Sequence, residues 1–500
     1  MTMLKRPREQ LLSPADPAPL ACFRIAWGVL MLLESMALLN LSATLFHPNL
    51  FHFTFTGFSW VRPLPELWMV ELEIYAMALA AAAIALGIGT RPACLLFAAG
   101  YAHFLFSEAA NYNNHYYLII LITFLLGLTR SDETHSLRAH FRKKRKADAA
   151  QPAPVPFWNY GILRLQVIIV YLYAAIAKIS HDWLLEAEPV RFWLDMNASS
   201  GRPLASFLGS VVPPHVFAWS GFLIDLTVPF LLVFRRTRLL AFAILVAFHV
   251  FNSQLFRIGY FPLLASALLL VFVPVRSGGA STILDRLVPS RRFLKPAPLH
   301  RPPRRVLTTV LVVFFLFQIL FPLRWILLLP RDPSWTDCGK NFAWRMMQRH
   351  RVGTHEFYFL FPDGSTELPP GARIPLAPVA AIRVATKPHE IWRLAQETRR
   401  RLEKLGYDEV QIYVHACASL NGRPYHPVID PNVDLGRASL PLFGVPVWIP
   451  RVPSPDNPRT YFTRSDDIRE ECYKPLRTWF DAHPGPGEQF LEKPHSGPAR

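Results

Sequence analysis

Charge is scarce in this chain. Only 18% of its 500 residues are Asp, Glu, Lys or Arg, and acidic residues are outnumbered 36 to 53 by basic ones. Soluble domains carry about a quarter charged residues, and here the 51% that are hydrophobic gather into long blocks, which excludes an ordinary soluble fold. Cysteine is also sparse. Five cysteines are too few for a disulfide framework, and their spacing matches no zinc pattern. Three of them, Cys338, Cys417 and Cys472, follow the apolar blocks, and one pair there can oxidise; the sequence does not say which. No small-residue cleavage site follows the first apolar block, so it is expected to persist as a span. No internal repeat is visible, which argues against a transporter built from paired halves.

What is present is a series of apolar segments. A span needs roughly 20 mostly apolar residues, and the candidates lie at about 18–40, 67–88, 91–110, 115–130, 159–180, 216–235, 237–256, 258–275 and 306–329. The segments 115–130 and 258–275 are short. Lys5, Arg6 and Arg8 precede the first span, so the positive-inside rule expects a cytoplasmic amino terminus. With nine alternating spans, Arg91, the run Arg142 to Lys146, Arg235-Arg236-Arg238 and the stretch Arg276 to Arg305 all fall on the same, inner side. The net charge of +17 is thereby explained as anchoring. Nucleic acid is not an expected partner, because the basic runs are broken up between apolar spans.

The composition changes after about residue 330. The expected architecture is a polytopic α-helical membrane protein of about nine transmembrane helices (residues 1–330), followed by a smaller extracytoplasmic α+β or mostly-β domain (331–480). A polar, Pro- and Gly-rich tail (481–500) is expected to be disordered. Within the domain, His355 to Leu368 reads as two strands around Pro362-Asp363-Gly364, Pro388 to Leu405 as a helix, and Gln411 to Leu420 as a strand ending at an Asn421-Gly422 turn.

Topology brings three groups of polar residues to one depth. Asn113-Asn114-His115 opens the fourth span at its outer end; Lys178, with Ser180-His181-Asp182, closes the fifth; His249, Asn252 and Gln254 lie near the outer end of the seventh. Each alone has a plain explanation. Lys178 taken singly reads equally well as a lysine snorkelling to the headgroups, His115 as an interfacial histidine, and His249 with Asn252 as interhelical glue. A metal site of His115, His181 and His249 lacks a local ligand motif. Their common depth favours a site. Arg24, Glu34 and Asp225, deeper in the spans, read as structural charges paired inside the bundle, and Arg164 as a snorkelling arginine.

The same segments resemble the vitamin K-dependent gamma-glutamyl carboxylases and their bacterial HTTM-domain relatives. The resemblance is carried by Phe23-Arg24-Ile25, Arg62-Pro63-Leu64-Pro65, Asn113-Asn114-His115-Tyr116-Tyr117-Leu118, Trp158-Asn159-Tyr160 through Lys178 to Asp182-Trp183, and Phe248-His249 with Asn252 to Gly259. Beyond the spans it continues in Phe342-Ala343-Trp344-Arg345-Met346-Met347, Ser419-Leu420-Asn421-Gly422-Arg423 and Ile429 to Leu435. The animal enzymes have two lysines in tandem where this chain has Ala177-Lys178.

The resemblance implies a membrane enzyme, in a bacterial inner membrane, that oxidises vitamin K hydroquinone or another lipid quinol to its epoxide with O2. The strong base formed on the way would remove the γ proton of a protein-bound glutamate, and CO2 would add. It implies Lys178 as the base that starts quinol oxidation. Asn114 and His115 would orient or stabilise the quinol oxygen, and His249 would line the same pocket with Asn252 behind it. Arg423 would bind the glutamate carboxylate of the protein or peptide substrate. The competing expectations are a quinone oxidase or epoxidase without carboxylation, and a transporter or scaffold whose cavity these residues line.

Overall fold

The computed structural model describes residues 7–145, 153–199, 203–234, 236–256, 259–273, 303–329, 332–441, 444–451 and 468–491. Lys5, Arg6, Lys146, Arg235, most of 276–305, and 492–500 lie outside them. The chain divides into two compact units. One comprises Met1–Phe46, Val61–Phe106 and Asn113–Phe321, and the other His47–Trp60, Ser107–Tyr112 and Pro322–Arg500.

Apolar composition makes the first unit helical. Its principal helices are α1 (Ala18–Leu45), α2 (Leu67–Leu86), α3 (Thr90–Ser107), α4 (Asn114–Leu128), α5 (Trp158–Ala177), α6 (Pro214–Val233), α7 (Arg238–Leu255), α8 (Phe261–Leu268) and α9 (Arg305–Leu320). Each of the nine apolar segments thus contains a helix. Among the described residues six helices, Ala18–Leu45, Leu67–Leu86, Trp158–Ala177, Pro214–Val233, Arg238–Leu255 and Arg305–Leu327, are long and apolar enough to cross a membrane. Asn114–Leu128 and Phe261–Phe272 are shorter apolar helices. The chain is therefore a multi-pass membrane protein. A two-residue pairing of β1 (Pro14–Ala15) with β2 (Val155–Pro156) joins the approaches to α1 and α5.

Several buried charged and polar groups in this unit are tied to backbone or to one another, as a water-free interior favours. Arg24, fully buried, donates from Nη1 to the Ile84 carbonyl at 2.7 Å and from Nε to that of Ser131 at 3.2 Å, stapling α1 to the end of α2 and to the loop after α4. Gly28, one turn on, permits the same approach, since an added Cβ would lie 2.4 Å from the Ala85 nitrogen. Glu34 accepts from the Tyr101 hydroxyl at 2.8 Å. Arg164 does not snorkel: it donates to the Val271 carbonyl at 2.8 Å and lies over the rings of Phe157, Tyr160 and Phe272. The basic helix Leu137–Arg145 is partly neutralised by the preceding loop, through Arg138 on Asp132 and Arg142 on Glu133.

The second unit is built on a three-stranded antiparallel sheet, β3 (Arg351–Leu360), β4 (Gln411–Leu420) and β5 (His426–Pro427), in the order β3-β4-β5. The register runs from Arg351 opposite Leu420 to Leu360 opposite Gln411. β4 is buried on both faces but for its first residue. Helix α10 (Pro388–Lys404) lays Ile391, Leu394, Ala395 and Leu402 into a core with Ile412, Val414, Ala416 and Trp448. Helix α11 (Ile468–Ala482) is tied to β4 by a Cys417–Cys472 disulfide, and Cys338, buried, takes no part in that bond.

Two expectations are corrected here. Pro362-Asp363-Gly364 does form a turn, closed by the Phe361 N–H on the Ser365 carbonyl at 3.1 Å. No strand follows it, however, and β3 pairs instead with the distant β4. The tail expected to be disordered from residue 481 remains folded as far as Leu491, because Phe490 is wholly buried against Tyr358 and Tyr413.

Candidate active site

Lys178 closes α5 as its C-cap, with its N–H on the carbonyls of Ala175 and Ile176. It does not reach outward. Its side chain is 7% exposed, and its Nζ lies 2.6 Å from Oδ2 of Asp225, itself 6% exposed, on α6. Nζ also meets the Ala174 carbonyl at 3.4 Å and stands 5.1 Å from the centre of the Trp183 ring. The indole is held in place by its own N–H on the Ala218 carbonyl at 2.8 Å. The three directions of the amine thus face a carboxylate, a carbonyl and an aromatic face, which are the surroundings of an ammonium.

His249 lies on α7 and is 3% exposed. Its Nε2 is 3.0 Å from the Tyr171 hydroxyl, and its Nδ1 has no hydrogen-bond partner among the described residues. Tyr171 and Lys178 are seven residues apart on the α5 helix and so share a face, about 10 Å apart along the axis. Phe261, at the start of α8, brings two imidazoles together: its ring centre is 5.8 Å from that of His115 and 5.7 Å from that of His249. His115 and Asn114 form the first turn of α4, both half-buried. Asn252, three residues beyond His249, is half-buried, and its carbonyl accepts the Phe256 N–H. His181 stands apart from this group, largely exposed, near Glu186. Among the described residues no three His, Cys, Asp or Glu are grouped so as to hold a metal ion.

Arg423 belongs to the second unit. It follows the Asn421-Gly422 turn, whose φ values of 53° and 75° make the left-handed bend that Asn and Gly tolerate best. The Arg423 N–H bonds the Leu420 carbonyl at 3.1 Å, its carbonyl accepts from the Ser419 hydroxyl at 2.6 Å, and the residue is 5% exposed. A solvated turn arginine is not what is found. At the same end of the β3–β4 ladder, Asp337 collects Arg349, Arg351 at 3.0 Å and Lys340 at 3.7 Å. Burial alone would raise the Asp337 carboxyl, but Arg349 and the other cations around it hold it well below the usual carboxylate range. Burial, and next the Arg349 charge, push Lys340 down to about 7 against the pull of Asp337.

Sequence reasoning had Lys178, Asn114, His115, His249 and Asn252 at one depth. The structure joins His115 to His249 through Phe261, and gives Lys178 a partner, Asp225, which the sequence alone offers only as a structural charge. Tyr171 was missed. Its signal was the seven-residue interval to Lys178, which puts a hydroxyl on the lysine's face of an otherwise apolar helix.

Compared with known families, residues 12–276 match the HTTM domain, and residues 303–454 match the lumenal domain of vitamin K-dependent gamma-carboxylase. No solved structure matches the chain.

Proposed function

The chain belongs to the HTTM family and is a relative of the gamma-carboxylases, and on that premise we propose that it couples oxidation of vitamin K hydroquinone, or another lipid quinol, to carboxylation of glutamate in a protein or peptide. The observation that carries this reading is the burial of the Lys178 amine against Asp225, at the end of the helix that resembles the family's catalytic-lysine segment. A lipid quinol suits the neighbouring groups. Phe261 lies between two imidazoles, and the His249 Nδ1, unpartnered among the described residues, is able to meet a hydroxyl or carbonyl oxygen. When bound, the quinol supplies, through its oxidation by O2, a base strong enough to remove the γ proton of glutamate, after which CO2 adds to the carbanion.

The chain's own residues then have distinct tasks. Lys178 removes the hydroxyl proton. Asn114 and His115 orient the oxygen and stabilise the charge left on it, His249 holds the same oxygen-bearing ring, and Asn252 supports His249 from the next turn. Arg423 binds the glutamate carboxylate through charge-assisted hydrogen bonds. The nine-span topology, with a cytoplasmic amino terminus and an extracytoplasmic C-terminal domain in a bacterial inner membrane, belongs to the same reading. It is supported by the one-sided basic loops and by the Cys417–Cys472 disulfide, since such bonds persist in oxidising compartments.

The test is reconstitution in lipid with vitamin K hydroquinone, O2, labelled bicarbonate and a glutamate peptide, following epoxide and fixed label separately. Both products are expected, and both should vanish in Lys178→Ala. Epoxide without label would restrict the activity to quinol epoxidation, and absence of both would overturn the reading. A reporter fused after Arg500 should be active outside the cytoplasm.

A further inference from the structure

A lysine that acts as a base needs a nitrogen lone pair, and the surroundings of Lys178 offer none to a substrate. The amine faces Asp225 at 2.6 Å, the Ala174 carbonyl at 3.4 Å and the Trp183 ring at 5.1 Å. It also caps the C-terminal end of α5, the negative end of the helix dipole, which favours a cation. As a lone base, then, the lysine is in the wrong state. The pair is not: an ammonium beside a carboxylate is neutral overall and can accept one more proton, on the carboxylate.

We propose that Asp225 is the positioning residue and final proton acceptor of this site, so that the base which starts the reaction is the Lys178–Asp225 pair and not the lysine alone. This rests on the quinol-oxidising reading of the site. In the step, one N–H bond of the Lys178 ammonium breaks and an O–H bond forms on Asp225, leaving amine and carboxylic acid. The amine then takes the proton of the quinol hydroxyl, breaking that O–H bond and forming a new N–H bond. The pair ends as ammonium and carboxylic acid with charge +1, opposite the −1 left on the quinol oxygen, and no electrons change hands. The two charges arise together in a buried site, so neither is left uncompensated.

The test is infrared difference spectroscopy on the purified protein in lipid, with quinol added in the absence of O2. The wild-type protein should gain a protonated-carboxyl band that shifts in D2O. Lys178→Met, which takes the cation from Asp225, should show that band before any quinol is added, and Asp225→Asn should show it in neither condition. In air, Asp225→Asn should lose at least 100-fold in epoxide formation, while Asp225→Glu recovers a measurable part of it. Should Asp225→Asn fail to fold, the wild-type band and Asp225→Glu still decide. The proposal is overturned if quinol produces no such band in the wild-type protein, or if Asp225→Asn forms epoxide at the wild-type rate. A band in a wild-type protein that forms no epoxide would leave the proton relay standing and overturn the quinol-oxidising reading instead.

Discussion

Removing Lys178 alone from the Lys178–Asp225 pair should cost far more than removing both residues. Lys178→Met keeps an unbranched side chain but leaves the Asp225 carboxylate, 6% exposed, without its cation. Breaking a buried pair in this way costs about 3–5 kcal/mol. An upper limit follows from proton chemistry, because the stranded carboxyl can discard its charge by taking a proton. Doing so at pH 7, from an ordinary value near 3.9, costs about 3 units at ~1.4 kcal/mol each, or ~4 kcal/mol. At pH 5 the same step costs only ~1.5 kcal/mol. The expected destabilisation of Lys178→Met is therefore ~4 kcal/mol at neutral pH, shrinking by more than half at pH 5. The double variant Lys178→Met/Asp225→Leu removes both charges at similar volume and should return to within ~1 kcal/mol of wild type. Equilibrium unfolding of wild type, Lys178→Met, Asp225→Leu and the double variant in mixed micelles, at both pH values, closes the cycle. A coupling below ~0.5 kcal/mol, or a Lys178→Met penalty that does not fall on acidification, would refute the view that these residues form one buried electrostatic unit.

Three smaller perturbations follow from other parts of the molecule. Tyr171→Phe leaves both ring nitrogens of buried His249 without partners, which should cost ~1–3 kcal/mol and lower the unfolding temperature; an unchanged temperature would show that the hydroxyl is dispensable. Cys417 and Cys472 are 55 residues apart in sequence, and chain entropy assigns such a loop ~4 kcal/mol. Replacing both by serine should expose the β3–β4 amides to hydrogen exchange, and two thiols reacting with a label in the unreduced protein would refute the bond. Lys340, pushed down to about 7 in the folded protein, lies below its unfolded value near 10.4. Between those values the unfolded chain binds more protons, so stability rises with pH across that window, and the whole cost of burying the charge is present below about 7. Lys340 is 31% exposed in its side chain, so solvent screening reduces the effect. Hydrogen exchange of β3 should slow as pH rises through this window, after correction for intrinsic rates, and Lys340→Met should abolish the trend.

What the sequence revealed, and what it hid, divides along the range of the interactions involved. Apolar blocks mark helices because burial of side chains and closure of backbone hydrogen bonds are both local, and α1 to α7 begin and end within a few residues of those blocks, while α8 and α9 stop short of the ends of theirs. The strand Gln411–Leu420 and its Asn421-Gly422 turn were legible for the same reason. Pairing was not. The Pro362-Asp363-Gly364 turn implied a hairpin, but Pro369 and Pro370 follow closely on its far side and cannot donate to a ladder, so β3 found its partner beyond α10. Phe490 likewise looked like part of a solvated tail, because its binding site is made by Tyr358 and Tyr413 from two distant strands.

The same distinction bears on Lys178. Sequence alone identifies a lysine whose charge is expensive where it lies, and two local outcomes compete for it, extension to the headgroups or capture in a pocket. Neither outcome is decided by the helix that carries it. The decision comes from Asp225, 47 residues away on another helix, and from Trp183, fixed by the Ala218 carbonyl of that same helix. An outward-reaching amine would keep its hydration and leave Asp225 buried alone, whereas the inward rotamer gives up hydration once and satisfies both charges. The second arrangement is favoured because an uncompensated buried carboxylate is the costlier state. It follows that Asp225→Leu alone should release Lys178 toward the lipid headgroups, where an amine-reactive, membrane-impermeant label would modify it; in the wild-type protein the same lysine should resist that label. Equal labelling of the two proteins would mean that Asp225 does not hold the amine inside.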